Sequence, residues 1–293
     1  MKRAAIVIIE VVAVLGMCAW SFGQSNNKPA APSAPAGQAA PAAGQAAAPQ
    51  GKRKPQAKTQ PEYEAYNAAL ALTDPAGLEK AADDFATKFP DSELRTMLYT
   101  AAMGRYQSNP DKMLEMGKKI LAIDPDDPAA LVGVAQALTE RVRDTDLDKD
   151  QQRAEAKKDA ERALVTIETD VPTTGYAPEQ LNTFKNGVRS EAYFVLGMLS
   201  FKTNNWADAE MNLRKSVDIF PQQPDAFTIF QLAVALDMQG KIPEAMKYVD
   251  QAVDLTKDRA DSGVGKAARA EKDRLVQLSS GTAPGQTATP PKN

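Results

Sequence analysis

The chain has 293 residues, with 35 Lys and Arg against 38 Asp and Glu and no histidine. The charge is unevenly divided: residues 1–60 hold seven basic residues and one acid, which leaves 28 basic and 37 acidic residues over 61–293, near −9. An acidic body argues against nucleic acid as the partner, and a chain without histidine lacks the usual neutral-pH proton shuttle and the commonest metal ligand.

Lys2-Arg3 open the chain, followed by an apolar stretch from Ala4 to Trp20 and then Ser21-Phe22-Gly23-Gln24. A basic end, an apolar run and small residues predict a secretory signal peptide over 1–23, cleaved after Gly23. Glu10 inside the run weakens the alternative of an uncleaved anchor, because a carboxylate at bilayer depth costs about 2.5–3.5 kcal/mol. Leu15-Gly16-Met17-Cys18 resembles a lipoprotein cleavage box, with Met17 where a small residue is usual. Cleavage, a retained anchor and lipidation of Cys18 are three alternatives, the last two giving an N-terminal membrane tether. Each places the body outside the cytoplasm, in the periplasm or on the envelope.

Residues 24–60 are rich in Ala, Pro, Gln and Gly, as in Pro29-Ala30-Ala31-Pro32 and Ala39-Ala40-Pro41-Ala42-Ala43-Gly44-Gln45. With almost nothing large and apolar to bury, this stretch is expected to be a disordered linker. Lys52-Arg53-Lys54 within it is expected to be a solvated charge cluster, with contact to anionic lipid or wall polymer as the alternative. A Pro/Thr/Gly-rich tail over 280–293 closes the chain.

The segment 61–279 is expected to form the folded body, and its helix starts are legible. A capping residue precedes proline at Asp74-Pro75, Asn109-Pro110 and Asp127-Pro128, with Pro178 and Pro224 at similar openings. Proline suits the first helical turn, where its missing N–H has no intrahelical partner. Apolar residues then recur at helical spacing, as in Trp206, Ala209, Leu213, Val217 and Phe220. A single helix cannot bury such a stripe alone.

Self-comparison supplies the neighbours. Residues 196–216 match in character those 36 positions ahead: Leu196 with Leu232, Gly197 with Ala233, Ala209 with Ala245, Leu213 with Val249 and Ser216 with Ala252. A second pairing, 34 apart, joins Met97, Leu98 and Ala101 to Leu131, Val132 and Ala135. Periods in this range predict stacked helix hairpins, an α-α superhelix. Tyr193, Leu196-Gly197, Ala209, Leu213, Ser216 and Pro221 resemble the pattern of the tetratricopeptide repeat, and Ile123-Asp124-Pro125 resembles its closing turn. The resemblance, to an exported bacterial member of that family, covers about 62–278. It is loose over 62–90, at Gly117, and at two insertions, 139–150 and 169–189, which set the helix of Ala156, Ala160 and Ala163 apart. A polar-backed helix over 260–278 suits a cap on the stack.

The resemblance implies a protein-binding scaffold whose first helices line a concave face, with Leu98, Ala102, Phe194, Met198, Phe201, Phe227, Phe230 and Val234 forming an apolar groove for a peptide or helix. Packing of these side chains between hairpins is the competing reading. No cofactor is implied and the oligomeric state is left open. The alternating acids of Asp144-Thr145-Asp146-Leu147-Asp148-Lys149-Asp150 imitate a calcium loop, but Lys149 stands where the turn glycine belongs, so a solvated loop is expected. Neither a nucleophile with its base nor a phosphate-cradling glycine loop is present, so an enzyme is not expected. The alternatives are a structural component of an outer-membrane complex, or an accessory subunit or carboxylate enzyme of wall metabolism using acids such as Glu191 and Asp237.

Overall fold

The computed structural model describes residues 52–280 except 173, 222 and 223. The expected signal peptide over 1–23, the lipidation at Cys18, the linker as far as residue 51 and the tail from 281 lie outside the described residues. Among those described there are eleven α-helices, one 3-10 turn and no strand. No helix among them is long and apolar enough to cross a membrane.

Five hairpins and a terminal helix follow in chain order: α1 (Gln60–Leu70) with α2 (Pro75–Lys88), α3 (Leu94–Arg105) with α4 (Pro110–Ile123), and α5 (Pro128–Arg141) with α6 (Lys149–Thr169). Then come α7 (Pro178–Lys202) with α8 (Trp206–Ile219), α9 (Ala226–Asp237) with α10 (Ile242–Leu255), and α11 (Gly263–Ser279). Each helix packs on the next, and α1 also meets α3, α3 meets α5, α5 meets α7 and α9 meets α11. Odd-numbered helices are therefore the closer-set, inner layer of a curved stack. The chain forms an all-α superhelix of helix hairpins.

The caps do what their chemistry requires. The side chains of Asp74, Asn109 and Asp127 accept hydrogen bonds from the backbone N–H of Gly77, Lys112 and Ala130, satisfying donors that have no intrahelical partner. Pro224 falls just short of its helix; Asp225 caps α9 instead, accepting from Thr228 N–H at 2.8 Å.

The 36-residue period is physical. Asn204 and Gly240, 36 apart, are left-handed at φ 58° and 73°. Around them Asn205 N–H donates to Ser200 C=O at 2.9 Å and Lys241 N–H to Leu236 C=O at 3.0 Å, the same helix-ending turn twice.

Small residues set the close approaches. A Cβ on Gly197 would stand 2.7 Å from Leu213 Cγ, and one on Gly117 would stand 2.5 Å from Val134 Cγ2. Gly117 is thus where α4 and α5 come together, which is why no large residue occupies it. Ser190 and Ser216 join α7 to α8 by donating to each other's backbone carbonyls at 2.9 and 2.7 Å.

Ion pairs link the outer, even-numbered helices: Lys112 to Glu79 at 2.7 Å and Lys119 to Asp83 at 2.8 Å between α2 and α4. Glu210 of α8 accepts from Lys241 at 2.6 Å, Gln239 at 2.8 Å and Arg214 at 2.9 Å. Burial opposes ionisation of Glu210, but the three donors outweigh it and hold the carboxyl at about 2. Its stabilisation is therefore present above the ordinary value of 4.5 and lost as pH falls toward 2. Glu210→Gln is expected to cost about 1–3 kcal/mol at pH 7. Urea unfolding midpoints should converge with those of the unchanged chain as pH falls through that window; an equal gap at low pH would refute the assignment.

The insertions lengthen helices and leave the stack closed. Residues 178–189 of the second insertion make α7 25 residues long, and α6 has 21, against 11–14 for the other hairpin helices. Residues 142–148 separate α6 from α5, a longer connection than in the other hairpins, yet Ala156, Ala160 and Ala163 are fully buried and α6 packs directly on α5. The added turns build a second core from Val132, Ala163, Ile167, Val171, Val188 and Ala192. At the end of the stack α11 buries Ala268 and Leu275 against α10 and α9.

Candidate functional site

Of the eight residues expected to form an open apolar groove, four are buried and four are half-buried. Leu98 and Ala102 are 0 % exposed, Phe194 is 6 % and Phe230 is 9 % exposed. Met198, Phe201, Phe227 and Val234 are half-buried and packed against the same core. Phe194 meets Phe227 edge-on with ring centroids 6.1 Å apart, and Phe201 meets Trp206 at 5.1 Å. The first pair joins one hairpin to the next, and the second packs the two helices of a single hairpin together. Of the acids considered for catalysis, Glu191 is buried within α7 and Asp237 pairs with Arg274 of α11.

The cleft lies elsewhere on the inner layer, between α3, the start of α5 and the added turns of α7. It holds a cavity of about 160 Å³ lined by Met97 and Thr100 of α3, Ala129 of α5, Val171, and Leu181 and Phe184 of α7. Acids line it, Asp124 and Asp127 before α5 and Asp170 after α6, and Glu93 before α3 pairs with the lining residue Arg53. Burial raises the Asp127 carboxyl to about 6, helped by the charges of Asp124 and Asp170 and opposed by backbone N–H donors. Burial also raises Asp170.

Across this cleft runs the start of the described chain. Lys52 Nζ donates to Asp124 at 2.8 Å and to Asp170 at 2.6 Å, and Arg53 pairs with Glu93 at 2.5 Å. Arg53 forms a single parallel bridge with Thr174, and Lys54 lies over the Tyr176 ring, 5.1 Å from its centroid. Gly175, at φ 90°, lets the 170–177 loop pass close: a Cβ there would meet Lys54 Cβ at 3.3 Å. The segment is then anchored at Glu62, a buried carboxylate that accepts from Lys58 N–H at 2.7 Å, Thr59 N–H at 3.3 Å and the Ser92 hydroxyl. Burial of Glu62 opposes its ionisation, and these donors overcome it and lower its pKa.

Two cations of the basic cluster expected to be solvated, or to meet lipid or wall polymer, are thus paired with acids of the body, and the third, Lys54, lies on Tyr176. The paired side chains keep much of their exposure, 43 % for Lys52 and 59 % for Arg53, so each pair holds the segment by about 1 kcal/mol or less. The cleft residues were missed because they come from four separated stretches. Two signals were there: the 169–189 insertion, and Asp124 in the closing turn of a repeat.

In the acidic 144–150 loop, Arg153 pairs with Asp144 at 2.6 Å, and Asp146 accepts from Arg143 N–H at 2.8 Å. No group of three or more metal-ligating side chains is gathered there or elsewhere among the described residues.

No protein-family model and no curated protein matches the chain. Among solved structures it is similar to an assembly chaperone of RpL4 (Acl4, residues 1–338) at 12 % identity and a TM-score of 0.37, over 75 % of this chain and 99 % of that one. That likeness is too loose to bear on what this chain binds.

Proposed function

We propose that this chain is a protein-interaction scaffold of the cell envelope, built from tetratricopeptide-like hairpins, which takes an extended segment of a partner protein in the cleft between α3, α5 and α7. The observation that carries the reading is that an extended peptide already lies there: residues 52–57 cross the inner layer on paired charges, a backbone bridge and a cation over an aromatic ring. First helices presenting such a surface are what a peptide-reading repeat stack needs. The chain works by binding and not by catalysis; of the two acids weighed for wall chemistry, Glu191 is buried and Asp237 is engaged in an ion pair with Arg274. The envelope location rests on the Lys2–Gln24 pattern alone.

A photocrosslinking residue placed at Thr96 or Leu181, inside the cleft, should give a discrete adduct with another protein in the native envelope fraction. The same residue at Lys118 or Lys157, exposed on α4 and α6, should not. Absence of any adduct from the two cleft positions would overturn the reading.

A further inference from the structure

We propose that the cleft selects a partner segment of particular chemistry: an extended stretch with a lysine beside a large apolar side chain, which replaces the chain's own residues 52–57. The inference deepens the proposed function and rests on it.

Charge complementarity gives the lysine. Asp124 and Asp170 come from different hairpin ends and converge on one ammonium, Lys52 Nζ, at 2.8 and 2.6 Å. A flat apolar surface would not demand a cation at that point, and an acidic segment would face Glu93, Asp124 and Asp170 together.

The unfilled cavity gives the apolar neighbour. Beside the resident segment lies a space of about 160 Å³, walled by Met97, Ala129, Val171, Leu181 and Phe184 and by Lys52, Arg53 and Pro55 of the segment itself. Lys52-Arg53-Lys54-Pro55-Gln56-Ala57-Lys58 contains no Leu, Ile, Met or aromatic residue to enter it. A segment with the same cation and one such side chain would keep the ion pairs and add apolar burial. It would also meet an occupant whose cations, Lys52 and Arg53, keep much of their exposure, so that each pair holds it weakly. The resident segment then acts as a low-affinity placeholder that lowers apparent affinity by the fraction of time it covers the cleft.

The test uses the full chain and a labelled peptide, Lys-Arg-Phe-Pro-Gln-Ala-Lys, followed by fluorescence anisotropy. Against a Lys52→Glu, Arg53→Glu chain, whose own segment is released, the Kd should fall by about tenfold relative to the unchanged chain, as for a cleft otherwise covered nine-tenths of the time. Adding Asp124→Asn and Asp170→Asn to that variant should abolish binding, and replacing the peptide's Phe by Gln should weaken it. Equal Kd in the two chains, or no binding to a released variant that melts like the unchanged chain, would overturn the proposal. If cleft crosslinks to a partner persist while the peptide fails, the scaffold reading stands and the lysine-apolar chemistry falls; loss of both removes the scaffold reading too.

Discussion

Gly197→Leu is expected to destabilise the protein by about 3 kcal/mol, the upper end of the overpacking range. The position has no room: a Cβ would sit 2.7 Å from Leu213 Cγ, 2.9 Å from Cδ2 and 3.1 Å from the Leu213 backbone nitrogen. Leu213 could turn its side chain away, but its nitrogen belongs to α8, so the two helices would have to part. Parting them would also stretch the reciprocal Ser190–Ser216 bonds, which close the other end of the same contact. The thermal midpoint should fall by about 6–12 °C for a body of this size.

The repeat supplies its own control. At the equivalent positions 36 residues on, the chain holds Ala233 and Val249, both fully buried. One hairpin thus uses Gly with Leu where the next uses Ala with Val, a trade of one small residue against one large. Gly197→Ala alone should destabilise despite the gain in helix propensity of about 1 kcal/mol. Combined with Leu213→Val it should recover most of the loss, a coupling visible in a double-mutant cycle. Additive effects, or an unchanged midpoint for Gly197→Leu, would mean that the 36-residue register is misaligned.

That register is also the part of the fold most legible in the sequence, for a local reason. Caps such as Asp74, Asn109 and Asp127 and the alternation of small and large apolar residues are fixed by one helix or one hairpin, so they are read over short spans. What a stretch does when it departs from the repeat is not local. Residues 169–189 read as an insertion, yet they become a loop plus three added turns of α7, because Val171 and Val188 find Val132, Ala163 and Ile167 to cover them. The cleft then forms from this addition, α3 and the chain's own residues 52–57, stretches that are far apart until the stack is assembled. Periodicity identifies that a residue is inward, but it does not say whether inward means a groove or a core. Phe194 and Phe230 show the difference: they lie on first helices as expected, and the neighbouring hairpins close over them.

Phe194→Glu therefore tests the core, and its expected cost is about 4 kcal/mol or more. The ring is 6 % exposed and lies 6.1 Å from the Phe227 ring, so the change removes an aromatic pair and puts a carboxylate among Phe227 and the core of α7 and α9. Urea unfolding should show a clear drop in midpoint, and any loss of partner binding would follow from loss of fold. Thr100→Arg is the informative counterpart. Thr100 lines the cleft, is half-buried, and its hydroxyl donates only to Thr96 C=O within its own helix, at 2.8 Å. An arginine there can reach the acids of the cleft and fill the cavity while the stack stays intact. It should abolish cleft crosslinking and peptide binding with little change in midpoint. A Phe194→Glu chain that keeps its midpoint but loses its partner would restore the open apolar groove, and a Thr100→Arg chain that still binds would place the partner elsewhere.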